Sequence, residues 1–224
     1  MSFGDKKLSE IAVSVPGSTS LLREYDLDFC CGGSDTLANA AAEKGLNLAE
    51  IETRLIELQN SKAENPEEYW VNATYPEIID HILVRYHQRH REQLQELIVL
   101  ADRVESVHGD REDCPIGVAA ELRNVYEDLS NHMMKEEHVL FPMIKAGNYM
   151  MAQMPIRMME MEHAEHGEHL EVLKSLTNNM TPPADACNTW LALYSGIQEF
   201  IDDLMMHIHR ENNILFPRVI AENH

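Results

Sequence analysis

The chain has 224 residues, 44% of them hydrophobic, enough to bury a full core in one or two domains. Thirty-eight acidic against eighteen basic residues give a formal charge of -20, which disfavours nucleic acid and anionic membranes as partners and leaves cations as the natural small ones. No run approaches a membrane span, no secretory leader stands at the start, and four cysteines make no secreted disulfide framework, so a soluble cytoplasmic protein with reduced thiols is expected.

Residues 1–60 predict a small helical N-terminal domain. LSEIAVSV, TSLLREYDLDF, DTLANAAAEKG and LAEIETRLIEL read as short helices, broken by Pro16, Gly17, the CCGG turn and Gly45. Residues 61–75 are polar and carry Pro66, which predicts a linker. Residues 76–222 predict four long helices, over about 76–108, 117–146, 155–178 and from the end of the TPPADA loop onward.

Each of the four carries an apolar seam in steps of three and four. The first reads Leu83, His87, His90, Leu94, Leu97, Ala101, Val104. The second reads Val118, Leu122, Val125, Leu129, His132, Glu136, Val139, Met143. Ile156, Met159, His163, His166, Leu170 and Leu173 form the third, and Trp190, Leu193, Ile197, Phe200, Leu204, His207, Glu211 and Ile214 the fourth. This is the pattern of an all-α four-helix bundle, with ionisable residues where core leucines belong.

Those residues are duplicated. HMMKEEHVLFP at 132–142 returns as HIHRENNILFP at 207–217, and YHQRHREQL at 86–94 resembles EHAEHGEHL at 162–170. In a helix a four-residue step advances about 6 Å and returns to nearly the same face. His132 with Glu136, and His207 with Glu211, therefore form two-toothed claws. Pro142 and Pro217 are expected to end or kink their helices just beyond them.

Unpaired imidazoles and carboxylates buried in such a seam cost several kcal/mol unless a partner or a metal answers them. Four histidines and two glutamates in a duplicated pattern predict a metal centre. Nitrogen and carboxylate donors without thiolate suit iron or manganese, with zinc admitted on affinity. Six protein ligands, His87, His132, Glu136, His163, His207 and Glu211, fit two octahedral ions bridged by the glutamates, with room for a bridging oxygen and a small exogenous ligand.

Spacing does not choose between His87 and His90, or between His163 and His166; the first of each is the ligand expected here and the second a neighbour. Asp128 and Asp203, one turn before the claw histidines, are either acceptors of the histidines' outer N–H or solvated carboxylates. His81, His108, His138, His169, His209 and His224 are expected at the surface. The thirteen methionines are expected as core filling rather than as a soft-metal route. Cys30 and Cys31 sit in YDLDFCCGG, where a sharp turn leaves the thiols approachable for a metal or for redox chemistry, or simply fills a buried turn. Cys114 and Cys187 fall in loops and support no site.

The repeated His and His-x-x-x-Glu pattern resembles hemerythrin-like domains. LSEIAVSVPGSTSLLREYDLDFCCGG, RYHQRHREQL, HMMKEEHVLFPMI and HIHRENNILFPR together resemble the Repair of Iron Centers family, of the YtfE/ScdA type, over essentially the whole chain. The resemblance implies a non-haem di-iron protein that restores iron-sulfur clusters damaged by nitric oxide or oxidants, acting on damaged cluster proteins in the cytoplasm. It implies the same six residues as ligands of two iron ions, bridged by oxygen or carboxylate, a thiol or iron-transfer role for Cys30 and Cys31, and homodimerisation. Two alternatives stand beside it: a carrier or sensor of dioxygen or nitric oxide, and a di-iron nitric oxide reductase.

Overall fold

The structure, a computed structural model, describes residues 2–61 and 63–222; His224 lies outside them. The described residues are helical, with one isolated bridge between Lys7 and Thr36 and no strand. They form two compact units, Ile79–Met205 and Met1–Ile78 with Met206–His224.

The first of these units begins inside α6 (Tyr75–His81), which runs through a π turn, Ile82–His87, into α7 (Gln88–His108). Next come α8 (Val118–Lys135), a π turn at Glu136–Leu140, α9 (Phe141–Lys145), α10 (Tyr149–Leu176) and α11 (Asn188–Arg210) as far as Met205. Side-chain pairs fix the directions. Asp102 meets Arg123 and Gln95 meets Tyr126, so α7 and α8 are antiparallel. His132 faces Glu162 while Glu121 faces His169, which reverses α10 against α8. Arg85 bonds Asp203 and His108 packs on Trp190, which reverses α11 against α7. The result is the up-and-down four-helix bundle that the seams predict.

The seams form the core as expected over most of their length. Leu94, Leu97, Ala101, Val104, Leu122, Leu129, Ile156, Leu173, Ile197 and Phe200 are all buried. Packing is close enough that a Cβ on Gly196 would lie 2.7 Å from a methyl of Leu97, so glycine at this point of α11 makes room for the Leu97 side chain of α7. At the start of α8 the Glu105 carboxylate accepts the N–H groups of Gly117 and Ala119 at 3.1 and 2.8 Å, capping a helix end that would otherwise leave donors unsatisfied.

Three predicted details change. The seam of the second helix slips: Val139 is 43% exposed while Leu140, Phe141 and Ile144 are buried. The cause is the π turn, in which the N–H of Phe141 bonds the carbonyl of Glu136 five residues back and one extra residue rotates the face by about a third of a turn. The same widening at Ile82–His87 buries Ile82 and Tyr86 and leaves Leu83 half-buried. Pro142 and Pro217 do not end their helices; each sits just after a π turn, where the wider turn relieves the ring's clash with the preceding carbonyls. The third helix begins at Tyr149 and carries Pro155 inside it.

In the second unit, α1 (Leu8–Ser14), α2 (Ser18–Glu24), α3 (Leu37–Glu43) and α4 (Leu48–Asn60) surround a small core of Phe3, Ile11, Leu22, Phe29, Ile51 and Leu55. The Glu52 carboxylate accepts the N–H groups of Phe3 and Gly4 at 2.6 and 2.9 Å, which fastens the start of the chain to α4. The stretch expected as a linker holds a helix, α5 (Pro66–Asn72), capped by the Asn65 side chain on the N–H of Glu67. Its Glu67 is buried and ion-pairs with Arg210, which lies over the Trp70 ring at 4.8 Å. Polarity alone reads such a segment as a linker because its buried charge is balanced by a residue far along the chain. The end of α11, the π turn Glu211–Leu215 and α12 (Phe216–Ala221) belong to this unit.

Candidate metal centre

The claw geometry follows from helix spacing. His132 Nε2 lies 3.4 Å from Glu136 Oε2, and His207 Nε2 lies 3.3 Å from Glu211 Oε1; all four side chains are buried. Glu136 also meets His87 Nε2 at 3.3 Å, and His163 Nε2 lies 3.1 Å from His132 Nε2. Ligand atoms of His132, Glu136 and His163 all fall within 4.8 Å of one another, spacing that suits one metal ion.

Each of two imidazoles is held from outside by a carboxylate. His87 Nδ1 is 2.8 Å from Glu137 Oε1, which also accepts from Arg91 at 2.7 Å. His132 Nδ1 is 3.0 Å from Glu162 Oε2, whose other oxygen accepts from Lys135 at 2.6 Å. The bond to His87, with Arg91 beside it, holds the Glu137 carboxyl down at about 2; His132 and then Lys135 do the same for Glu162, also at about 2. An ionised carboxylate only accepts, so Nδ1 carries the proton and Nε2 turns its lone pair inward.

That assignment points the Nε2 lone pairs of His87 and His132 toward the Glu136 carboxylate inside a dry core, with His163 Nε2 within hydrogen-bond distance of His132 Nε2. A buried nitrogen and carboxylate cluster of this kind can hold a cation. The donor set is imidazole nitrogen and carboxylate oxygen, and it fits iron, manganese or zinc.

The comparisons with known proteins agree with this donor chemistry. Residues 78–219 match the model of the Hemerythrin HHE cation binding domain, and residues 4–59 match a domain of unknown function, DUF542. A probable iron-sulfur cluster repair protein of Haemophilus influenzae is 68% identical over 99% of this chain and all of its own. The iron-sulfur cluster repair proteins YtfE of Musicola paradisiaca and Citrobacter koseri are each 55% identical, over 98% and 99% of both chains. The chain belongs to this family of iron-sulfur cluster repair proteins. Its hemerythrin-like part is all-α and carries buried His and Glu groups suited to iron.

Other site residues fall differently from expectation. Asp128, read either as a partner of His132 or as a solvated carboxylate, is exposed and bonds His169 at 3.1 Å, while Glu162 of the facing helix bonds His132. Asp203 gives its oxygens to Arg85 at 2.6 and 3.0 Å and to Gln93 at 3.4 Å. His90 is buried between the rings of Tyr86 and Phe200, and the His166 ring lies 4.9 Å from that of His132. Glu137 and Glu162, with Arg91 and Lys135 on them, were missed by the spacing argument: the bonds of these carboxylates to His87 and His132 cross between helices, and periodicity along one helix carries no record of that register.

Among the outlying histidines, His138 is exposed, while His81, His108 and His169 are half-buried. His108 Nε2 lies 3.2 Å from Cys187 Sγ. His209 overturns the surface expectation outright. It is fully buried, 3.4 Å from Glu67, edge-on to Phe29 at 5.4 Å, and in contact with the Asn213 amide at 2.8 Å. Burial lowers the His209 pKa more than the neighbouring Glu67 raises it. The methionines also depart from core filling: Met133 and Met159 are buried, but Met134, Met150, Met151, Met154, Met158 and Met161 are exposed.

Cys30 and Cys31 are not joined in a disulfide; Cys30 is buried and Cys31 half-buried. Their turn closes on itself so tightly that a Cβ on Gly33 would lie 2.5 Å from the Phe29 carbonyl, and one on Gly32 2.9 Å from that of Asp28. This is the reason for the CCGG sequence. Asn212 donates to the Cys30 carbonyl at 3.0 Å and Asn213 to that of Phe29 at 2.8 Å, so the residues that follow Glu211 hold the thiol turn in place.

Proposed function

We propose that His87, His132, Glu136, His163, His207 and Glu211 hold two iron ions, with the two glutamates shared between them, and that the protein repairs iron-sulfur clusters damaged by nitric oxide or oxidants. The observation that carries this reading is the buried cluster in which the Nε2 atoms of His87 and His132 lie 3.3 and 3.4 Å from the Glu136 carboxylate, with His163 beside them. Bound there, iron supplies redox change and positions open to a small ligand such as nitric oxide or dioxygen.

The chain's own residues set how firmly the metal is kept. Glu137 and Glu162 fix His87 and His132 as neutral donors aimed inward. Glu136 and Glu211 are the groups through which the grip loosens, since a proton added at a carboxylate oxygen competes with metal for the same lone pair. Iron released in this way is the cargo for a damaged cluster protein in the cytoplasm. The thiol turn gripped by Asn212 and Asn213 favours repair over gas carriage, because reversible gas binding makes no use of paired thiols.

Metal analysis with a Mössbauer spectrum of the purified protein tests the centre. Two antiferromagnetically coupled irons per chain are expected; a single zinc or no metal overturns it. Transfer of iron to an apo-cluster acceptor tests repair, whereas unaltered return of bound gas, or sustained nitrous oxide production with a reductant, would identify a carrier or a reductase.

A further inference from the structure

The turn at residues 28–33 has a ligand set of its own. Cys30 Sγ lies 3.9 Å from Cys31 Sγ and 3.1 Å from Asp28 Oδ1, and one ligand atom from each of the three residues falls within 4.8 Å of the other two. A metal at about 2.3 Å from both sulfurs, the usual zinc-thiolate length, would subtend an S–metal–S angle of about 116° across that gap, near tetrahedral. The third donor is already fixed in place. Asp28 Oδ1 accepts the N–H groups of Cys30 and Cys31 at 3.0 and 2.9 Å, and Oδ2 accepts that of Gly32 at 2.9 Å. A carboxylate offers about four lone-pair positions; three take backbone N–H groups, and the fourth now takes the Cys30 thiol.

We infer that Asp28, Cys30 and Cys31 form a second metal site, an open three-donor seat for a borderline-soft divalent cation, with ferrous iron as its cargo. Two thiolates and one carboxylate leave a fourth position to water or to an incoming donor, and the exposure of Asp28 with the half-burial of Cys31 puts that position on the solvent side. A seat with three ligands and an open side holds metal loosely enough to pass it on.

The alternative use of the pair, as a nucleophilic thiolate, suits the geometry less well. The bond with Cys31, burial and the Asp28 carboxylate all push the Cys30 thiol up, whereas reactive cysteines are lowered by cationic surroundings. A bound cation reverses that balance. On binding, both S–H bonds break, both sulfurs bond to the metal, and two protons pass to solvent with no change of oxidation state.

The seat itself does not depend on the repair function; its use for iron in transit does rest on that reading. Anaerobic titration of the iron-loaded full chain with cadmium tests the seat through thiolate-to-cadmium charge-transfer absorbance and proton release. The wild type is expected to bind one cadmium with release of two protons, without loss of the resident iron. Cys31→Ser, at a half-buried position, is expected to abolish the band. Asp28→Asn should weaken binding by at least about tenfold, a loss seen even when only an outer partner of a metal ligand is removed. Cys187→Ser, which removes a thiol that has His108 beside it and lies outside the turn, should change nothing. A band that survives Cys31→Ser, or an affinity unmoved by Asp28→Asn with circular dichroism unchanged, overturns the site. Iron transfer to an apo-cluster acceptor separates the two claims. Normal transfer by Asp28→Asn with its cadmium seat lost would refute the transit role alone, while absence of transfer by the wild type would refute the repair reading and leave the seat standing.

Discussion

The two claw repeats keep the same inner side and have opposite outer sides. In both, a histidine and a glutamate one turn apart are buried facing each other, and a π turn follows at once. Outside, the first copy meets solvent: Met134 and Val139 are exposed and Lys135 is half-exposed. In the second copy the matching positions are His209, Arg210 and Ile214, all buried, and Arg210 and His209 both engage Glu67. Glu137 in the first copy bonds His87, while its counterpart Asn212 bonds the Cys30 carbonyl. One face of the repeated helix keeps the same His-Glu pair, and the other is free to become either surface or anchor for the N-terminal segment.

If the inner faces are equivalent, Glu136→Leu and Glu211→Leu should harm iron retention alike, each by at least about tenfold under a chelator challenge followed by metal analysis. Retention of iron by one variant alone would break the equivalence. The outer faces should respond unequally. Arg210→Met leaves Glu67 as a buried charge without its cation and is expected to cost about 3–5 kcal/mol in urea unfolding, whereas Lys135→Met at the matching position should cost under about 1 kcal/mol.

The same buried pair carries a pH signature. Burial raises the Glu67 carboxyl, but His209 and Arg210 outweigh it and leave the pKa below its ordinary value of 4.5. The contribution of Glu67 is therefore complete above the unfolded value and is lost as pH falls through the lower folded one. Urea midpoints compared from neutral pH to below 4.5 should fall in the wild type and lose that component in Glu67→Gln. The smallest effect expected is at the thiol turn. Asn212→Ala and Asn213→Ala should each cost about 1 kcal/mol, the usual net value of one hydrogen bond, and should speed alkylation of Cys30 in stopped-flow assays. Glu137→Ala, the counterpart of the first, should leave that rate unchanged.

Much of this was legible in the residues. The four seams, the six proposed ligands and the matched spacing of the claws all come from the helical period, which acts within one segment and needs no partner to be known. Where the reading failed, the cause lay outside that period. The π turn moved Val139 to the surface and Leu140 inward, His209 became buried through Glu67 and Phe29, and Glu162, which the period does not reveal, became the partner of His132.

The sequence by itself determined which donors share a helix face, because 3.6 residues per turn fixes that as soon as a helix forms. Only the tertiary structure decided which carboxylates steady the imidazoles, which face of each claw meets water, and how Asn212 and Asn213 grip the thiol turn. Those outcomes depend on the register between segments far apart in the chain, and that register is set by packing, to which local periodicity is blind.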